Sequence, residues 1–182
     1  MARVPNLKPQ EMNADQKRIF EEIGAARGGI VAGPFAIWLR NPALADAANT
    51  FGNALRLGGK LDKRLFELMV LLVARHWSAQ YEWHAHEDAA IKAGLSREIV
   101  EAIRARKPPQ FSRDDERLIY DIITELNESK LLSQPGYERA LAALGMDLLI
   151  ELITAAGFYT MVAMVLNGFD APVPGGGRPL PD

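Results

Sequence analysis

Leu61-Asp62-Lys63-Arg64-Leu65-Phe66-Glu67-Leu68-Met69-Val70-Leu71-Leu72-Val73-Ala74-Arg75-His76-Trp77 is the stretch that decides the fold. Glu67 is the only polar side chain from Leu65 to Ala74. A run this long reads as a helix, and a helix apolar on all sides is buried. Working outward, helical spacing recurs and strand-like alternation is scarce. A fourth helix is expected from near Ser78 or Ala79 to Gly94, a residue suited to a C-terminal cap. Ser96 caps a short fifth helix that stops before Pro108-Pro109. Ser112 with Asp115 resembles a capping box for a sixth, ending near Asn127. Pro135 opens a seventh, and Asp147 opens the last, to about Asn167. Toward the N-terminus, Asn41-Pro42 starts a second helix that ends at Gly58-Gly59. Asn13 starts the first, to about Ala26, before Gly28, Gly29, Gly33 and Pro34 break the chain. The expectation is an all-α bundle of about eight helices. Residues 1–170 would form a single domain, and 171–182, rich in Pro and Gly, an arm or tail.

The 182 residues are 48% hydrophobic and 24% charged, ordinary for a globular chain. There is no cysteine, which excludes a disulfide scaffold, a thiolate nucleophile and a sulfur-built zinc site. The net charge of −2 gives no global pull toward nucleic acid or anionic membrane. The first 22 residues hold no apolar stretch of signal-peptide length, so a cytoplasmic protein is expected. The longest uncharged apolar run, Leu152 to Leu166, is shorter than the roughly 20 residues that span a bilayer. It is expected to be a buried helix or a subunit interface.

Two carboxylates and a histidine are the candidate chemistry. A carboxylate inside an apolar helix must be hydrogen-bonded, paired or protonated, and Arg64 and Arg75 are the nearest structural partners for Glu67. Glu82 and His86 are four apart and share a helix face, where a carboxylate fixes an imidazole's tautomer. His84 points away and has Asp88 four residues on, while His76 lies at a helix end. Leu149-Ile150-Glu151-Leu152 echoes Leu65-Phe66-Glu67-Leu68 at an offset of 84 residues, a weak sign of internal duplication. With no histidine near it, Glu151 is expected to be structural. Tyr81 and Trp83 serve as packing aromatics or as a substrate platform. Glu67, Glu82 and His86 could also ligate a metal, but no high-specificity metal motif is present.

Arg64-x-x-Glu67, followed by Tyr81-Glu82-Trp83-x-x-His86-x-x-Ala89-Ala90-x-x-x-Gly94-Leu95-Ser96, resembles the carboxymuconolactone decarboxylase and alkylhydroperoxidase-D superfamily over about 61–103. The resemblance implies an all-α, homo-oligomeric fold, a trimer or a hexamer, with a site between helices. The thiol branch carries Glu-x11-Cys-x2-Cys-x3-His. Here Glu67 and His86 keep that spacing, while Ala79 and Glu82 stand at the cysteine positions. A family-labelled peroxidase activity therefore lacks its thiols.

The cysteine-free decarboxylase branch implies cofactor-free, metal-free acid/base chemistry on a small unsaturated carboxylate or lactone. By that resemblance His86 is the general acid/base, Glu82 orients it, and Glu67 is a relay. Arg64 or Arg40 holds the substrate carboxylate, and Trp83 and Tyr81 line the substrate. The expected partners are that small molecule and further copies of the chain, with neither nucleic acid nor membrane. The alternatives are a non-enzymatic helical oligomer or binding protein that kept the family core, and a metal-assisted hydrolase or oxygenase.

Overall fold

Caps and glycines place most helix ends in the computed structural model, which describes residues 3–25 and 27–182. Asn13 and Gln16 cap each other reciprocally: Gln16 N–H donates to Asn13 Oδ1 at 2.9 Å, and Asn13 N–H to Gln16 Oε1 at 3.0 Å. They open α1, Ala14–Ala25; Ala26, its expected end, lies outside the described residues. The glycine-rich break holds a short helix that sequence reading passed over, α2, Pro34–Trp38. Gly33 adopts φ 59°, which suits glycine, and Pro34 takes the first helical position. Asn41 accepts from Leu44 N–H and starts α3, Pro42–Arg56, as expected.

The described residues group into two compact units. In the unit that runs to Gly59 and includes Val165–Pro172, α1 and α2 pack on α3 around Ile19, Ile23, Trp38, Ala45 and Leu55. The Arg27 guanidinium lies 4.2 Å from the Phe35 ring centroid and donates to Asn49 Oδ1 at 2.8 Å. Arg40 donates to the Pro5 carbonyl at 2.7 Å. It also borders an apolar cavity of about 390 Å³ with Ile37, Trp38 and Phe169.

The unit Lys60–Met164 with Val173–Asp182 is built around α4, Lys63–His76. Asp62 caps α4 through Arg64 N–H and Leu65 N–H, and every residue from Arg64 to Arg75 is buried. α5, Gln80–Lys92, α6, Arg97–Arg104, and α7, Asp114–Ser129, all pack on it. Ser96 caps α6 through Ile99 N–H, and Gly94, at φ 100°, follows the C-terminus of α5, both as expected. The capping box at Ser112 does not form. α7 starts after Arg113, whose side chain has no acceptor to offer as a cap, and Asp115 accepts from Glu116 N–H at 2.8 Å and from Arg64 rather than reaching back to Ser112.

The last element is continuous by hydrogen bonding, α8, Gln134–Gly168, rather than two helices. The expected boundary survives in the backbone: Gly145 adopts φ 73°, ψ 168°, a left-handed conformation that favours glycine. By length and composition α8 is apolar enough to cross a membrane, with mean hydropathy 1.9 over 18 residues, 39% of that window being buried. The Leu152 to Leu166 run looks short in sequence because Glu151 interrupts the uncharged stretch, whereas the helix continues through it. Glu151 accepts from Lys60 N–H and Leu61 N–H, both at 2.9 Å, so its carboxylate anchors the segment leading into α4. Glu151 is structural, as expected.

The Pro/Gly-rich arm is held by the unit it returns to. Gln80 grips the backbone of Leu180 in both directions: its Nε2 donates to Leu180 O at 3.0 Å, and Leu180 N–H donates to its Oε1 at 2.9 Å. Arg104 donates to Pro179 O at 2.6 Å, and the Leu180 side chain is 1% exposed. Among the described residues there is no strand, and the helices number eight.

Candidate functional site

α4 and α5 form a helical hairpin joined by Trp77, Ser78 and Ala79. The apolar character of α4 forces Glu67 inward, and the Glu82–His86 spacing turns both residues of α5 toward the interior. His86 Nδ1 and Glu67 Oε2 are 2.6 Å apart, with the imidazole 8% and the carboxylate 2% exposed. Neither Arg64 nor Arg75 is the partner of Glu67; a histidine from the adjacent helix is. A carboxylate on Nδ1 leaves Nε2 as the ring nitrogen free for chemistry. Tyr159 of α8 packs edge-on to His86, ring centroids 5.2 Å apart at 90°, and edge-on to Phe66 at 5.7 Å.

Glu82 differs from the expected orienting role. It is 1% exposed, and neither carboxyl oxygen has a hydrogen-bond partner among the described residues. Burial pushes its pKa well above the ordinary 4.5, because no partner compensates the lost hydration of the charged form. The two carboxylates have thus exchanged roles. Glu67 fixes the imidazole, and Glu82 is a buried acid that favours its neutral, proton-bearing form.

The expected substrate contacts are engaged elsewhere. Arg64 donates to Glu116 Oε1 at 2.6 Å and to Asp115 Oδ2 at 2.7 Å, tying α4 to α7. Its guanidinium, only 7% exposed, is thereby a structural cross-link. Trp83 is fully buried, donates from Nε1 to Glu87 Oε2 at 3.0 Å, and carries the Arg104 guanidinium 5.1 Å from its ring centroid. Arg104 also pairs with Glu87. Trp83 is therefore a packing residue that links α5 to the arm rather than a substrate platform. Tyr81 is half-buried, and its phenol pKa is raised by burial. His84 is exposed, and His76 ends α4, as the helix-end expectation had it.

Sequence reasoning missed Tyr159. It lies in an apolar run with no charged neighbour to single it out, and only the fold brings it beside His86. Among the described residues no group of three or more His, Asp or Glu is arranged to hold a metal ion.

No curated protein matches the chain. The family model described as the carboxymuconolactone decarboxylase family matches residues 42–112, from the start of α3 to just before α7. That segment contains Glu67, Glu82 and His86 and the hairpin that joins them. Residues 42–112 are thus similar to the carboxymuconolactone decarboxylase family, in a chain without a single cysteine.

Proposed function

We propose that the chain is a decarboxylase-like lyase that applies acid/base catalysis to a small unsaturated carboxylate or lactone acid. The observation that carries this reading is the unpartnered, buried carboxyl of Glu82 one turn from the Glu67–His86 pair. In a vinylogous decarboxylation, the bond from carbon to carboxylate breaks and its electron pair enters the conjugated carbonyl. Carbon dioxide leaves, and the resulting dienolate needs one proton on carbon. Glu82, neutral and carrying a proton, is suited to donate it, and solvent then restores the acid. His86, oriented by Glu67 through Nδ1, presents Nε2 to accept or relay a proton from the substrate's oxygen. Apolar surroundings strengthen both interactions by excluding water.

We propose that the chain also self-associates. Met146, Ile150, Ile153, Met161 and Met164 are exposed and fall on one face of α8, an apolar stripe suited to a second copy of the chain.

The test is carbon dioxide release by the purified protein from carboxymuconolactone and related unsaturated lactone acids. Turnover by the wild type and a loss of about 10²–10⁴-fold in His86→Ala are expected. No release from any of these acids, or undiminished release by His86→Ala, overturns the proposal. One observation favours a second reading, a non-enzymatic helical protein that kept the family core. His86, Glu67 and Glu82 are each no more than 7% exposed, and neither the 390 Å³ cavity nor the smaller one beside Arg75 is lined by any of them. The same assay separates the two.

A further inference from the structure

α4 buries two arginines, and their surroundings differ. Arg64, 6% exposed, meets three carboxylates, those of Asp62, Asp115 and Glu116. Arg75, 5% exposed, meets none among the described residues. Its Nε donates to Arg104 O at 2.8 Å, its Nη1 to Ser78 Oγ at 3.1 Å, and its Nη2 to Pro181 O at 3.3 Å. Every one of these acceptors is neutral. A second guanidinium stands beside it: Arg106 Nη2 donates to Arg75 O at 3.3 Å and to Ser78 Oγ at 3.0 Å. Among the described residues no carboxylate pairs with Arg106 either. Buried charges in proteins are normally paired, since an isolated one forfeits hydration without return. Burial and the neighbouring Arg106 charge together push the Arg75 pKa down, the signature of a cation short of a counter-charge.

These two arginines border a cavity of about 140 Å³ at the far end of α4, with His76 and Lys107 also on its wall. Glu128 is the only carboxylate among its lining residues. Tyr120 and Thr124 of α7 add hydroxyl groups. Arg75 lies eight residues beyond Glu67, about 12 Å along the helix, so this pocket is separate from the His86 site. Part of the positive charge has a structural use. α4, α6 and α7 all end here, and cations offset the partial negative charge of helix C-termini. That use leaves donors over: the Arg106 side chain bonds through Nη2 alone, and the Lys107 ammonium makes no hydrogen bond or ion pair among the described residues. Two guanidinium forks, an ammonium and hydroxyl donors around a small cavity match an oxyanion with several acceptor oxygens.

We infer that the cavity between α4, α6 and α7 is a binding site for a small phosphate-type oxyanion, either inorganic phosphate or the head of a phosphate monoester, held by Arg75, Arg106 and Lys107. The cavity is too small for a nucleotide to enter whole, so a monoester leaves its organic portion outside.

The experiment is calorimetric titration and thermal melting of the full chain with inorganic phosphate and with glycerol phosphate, chloride being adjusted to hold ionic strength constant. Wild type, Arg106→Ala, Lys107→Ala and a remote control, Lys92→Ala, are compared. Saturable binding of one anion per chain and a rise in Tm with ligand are expected. Arg106→Ala should weaken affinity about tenfold or more, Lys107→Ala severalfold, and Lys92→Ala not at all. Lys107 is exposed, so its variant tests the site even where Arg106→Ala impairs folding. Saturation by inorganic phosphate points to the free ion, and saturation by the monoester alone to a phosphorylated metabolite. No saturable binding of either, equal stabilisation by chloride, or affinity unchanged in Lys107→Ala and in any folded Arg106→Ala overturns the inference.

Discussion

Replacing Glu82 with glutamine has a consequence that can be worked from its surroundings. The side chain is 1% exposed and neither oxygen is hydrogen-bonded, so the folded protein favours the neutral acid. In the unfolded chain the same carboxyl ionises near its ordinary 4.5. The folded pKa is the higher of the two, so the folded state binds the extra proton. The stability due to that proton is complete below about pH 4.5 and is lost as the pH rises toward the folded pKa. One proton sets a limiting slope of about 1.4 kcal/mol per pH unit. Against a total of about 5–15 kcal/mol, that slope is readily measured. Glu82→Gln keeps the shape and neutrality of the acid but does not titrate. The two proteins should be about equally stable near pH 4.5, and the variant should gain over the wild type as the pH rises. Urea unfolding at half-unit steps from pH 4.5 to 8 measures the difference. A difference that stays flat across that range would show that Glu82 is ionised or solvated in the folded protein, and would refute the reasoning.

Three further outcomes follow from partners already described. Arg64→Met leaves Glu116 buried without its cation and should cost about 3–5 kcal/mol in urea unfolding, a far larger loss than at an exposed pair such as Arg18–Glu22. Glu151→Ala removes the acceptor of two backbone N–H groups and should cost about 1–2 kcal/mol, with the His86 ring resonances unmoved. Leu180→Ala empties the anchor of the arm; limited proteolysis should cut within 173–182 well before it cuts the wild type, while the far-ultraviolet circular dichroism stays helical.

The sequence made the fold legible where local chemistry dominates. Asn13, Asn41 and Ser96 cap helices as their side chains predict, because each acceptor lies within three residues of its donor. Where a distant partner competes, local reading fails. Asp115 suits a capping box by spacing, but the helix starts one residue later than Ser112 would set it, and the carboxylate is shared between Glu116 N–H and the Arg64 guanidinium delivered by α4. Glu67, Glu82 and His86 were legible as a group from their residue types and apolar context. Their roles were not, since the four-residue spacing on α5 says nothing about what α4 delivers across the hairpin. Tyr159 and the Gln80 grip on Leu180 join residues 73 or more positions apart, from His86 to Tyr159 and from Gln80 to Leu180, a pairing that no local pattern encodes. The echo between α4 and α8 illustrates the limit: the same four-residue pattern places one glutamate on a histidine and the other on backbone N–H groups.

Burial without a hydrogen-bond partner favours the acid form of Glu82 beside the Glu67–His86 pair, and we propose that it keeps its proton at neutral pH. Infrared spectroscopy reads this directly, because a protonated carboxylic acid has a carbonyl stretch distinct from those of a carboxylate. The wild type at pH 7 should show one such band from a buried acid, shifting with carbon-13 glutamate labelling and missing in Glu82→Gln. A wild-type spectrum at pH 7 without that band, or a band that persists in Glu82→Gln, would contradict the account.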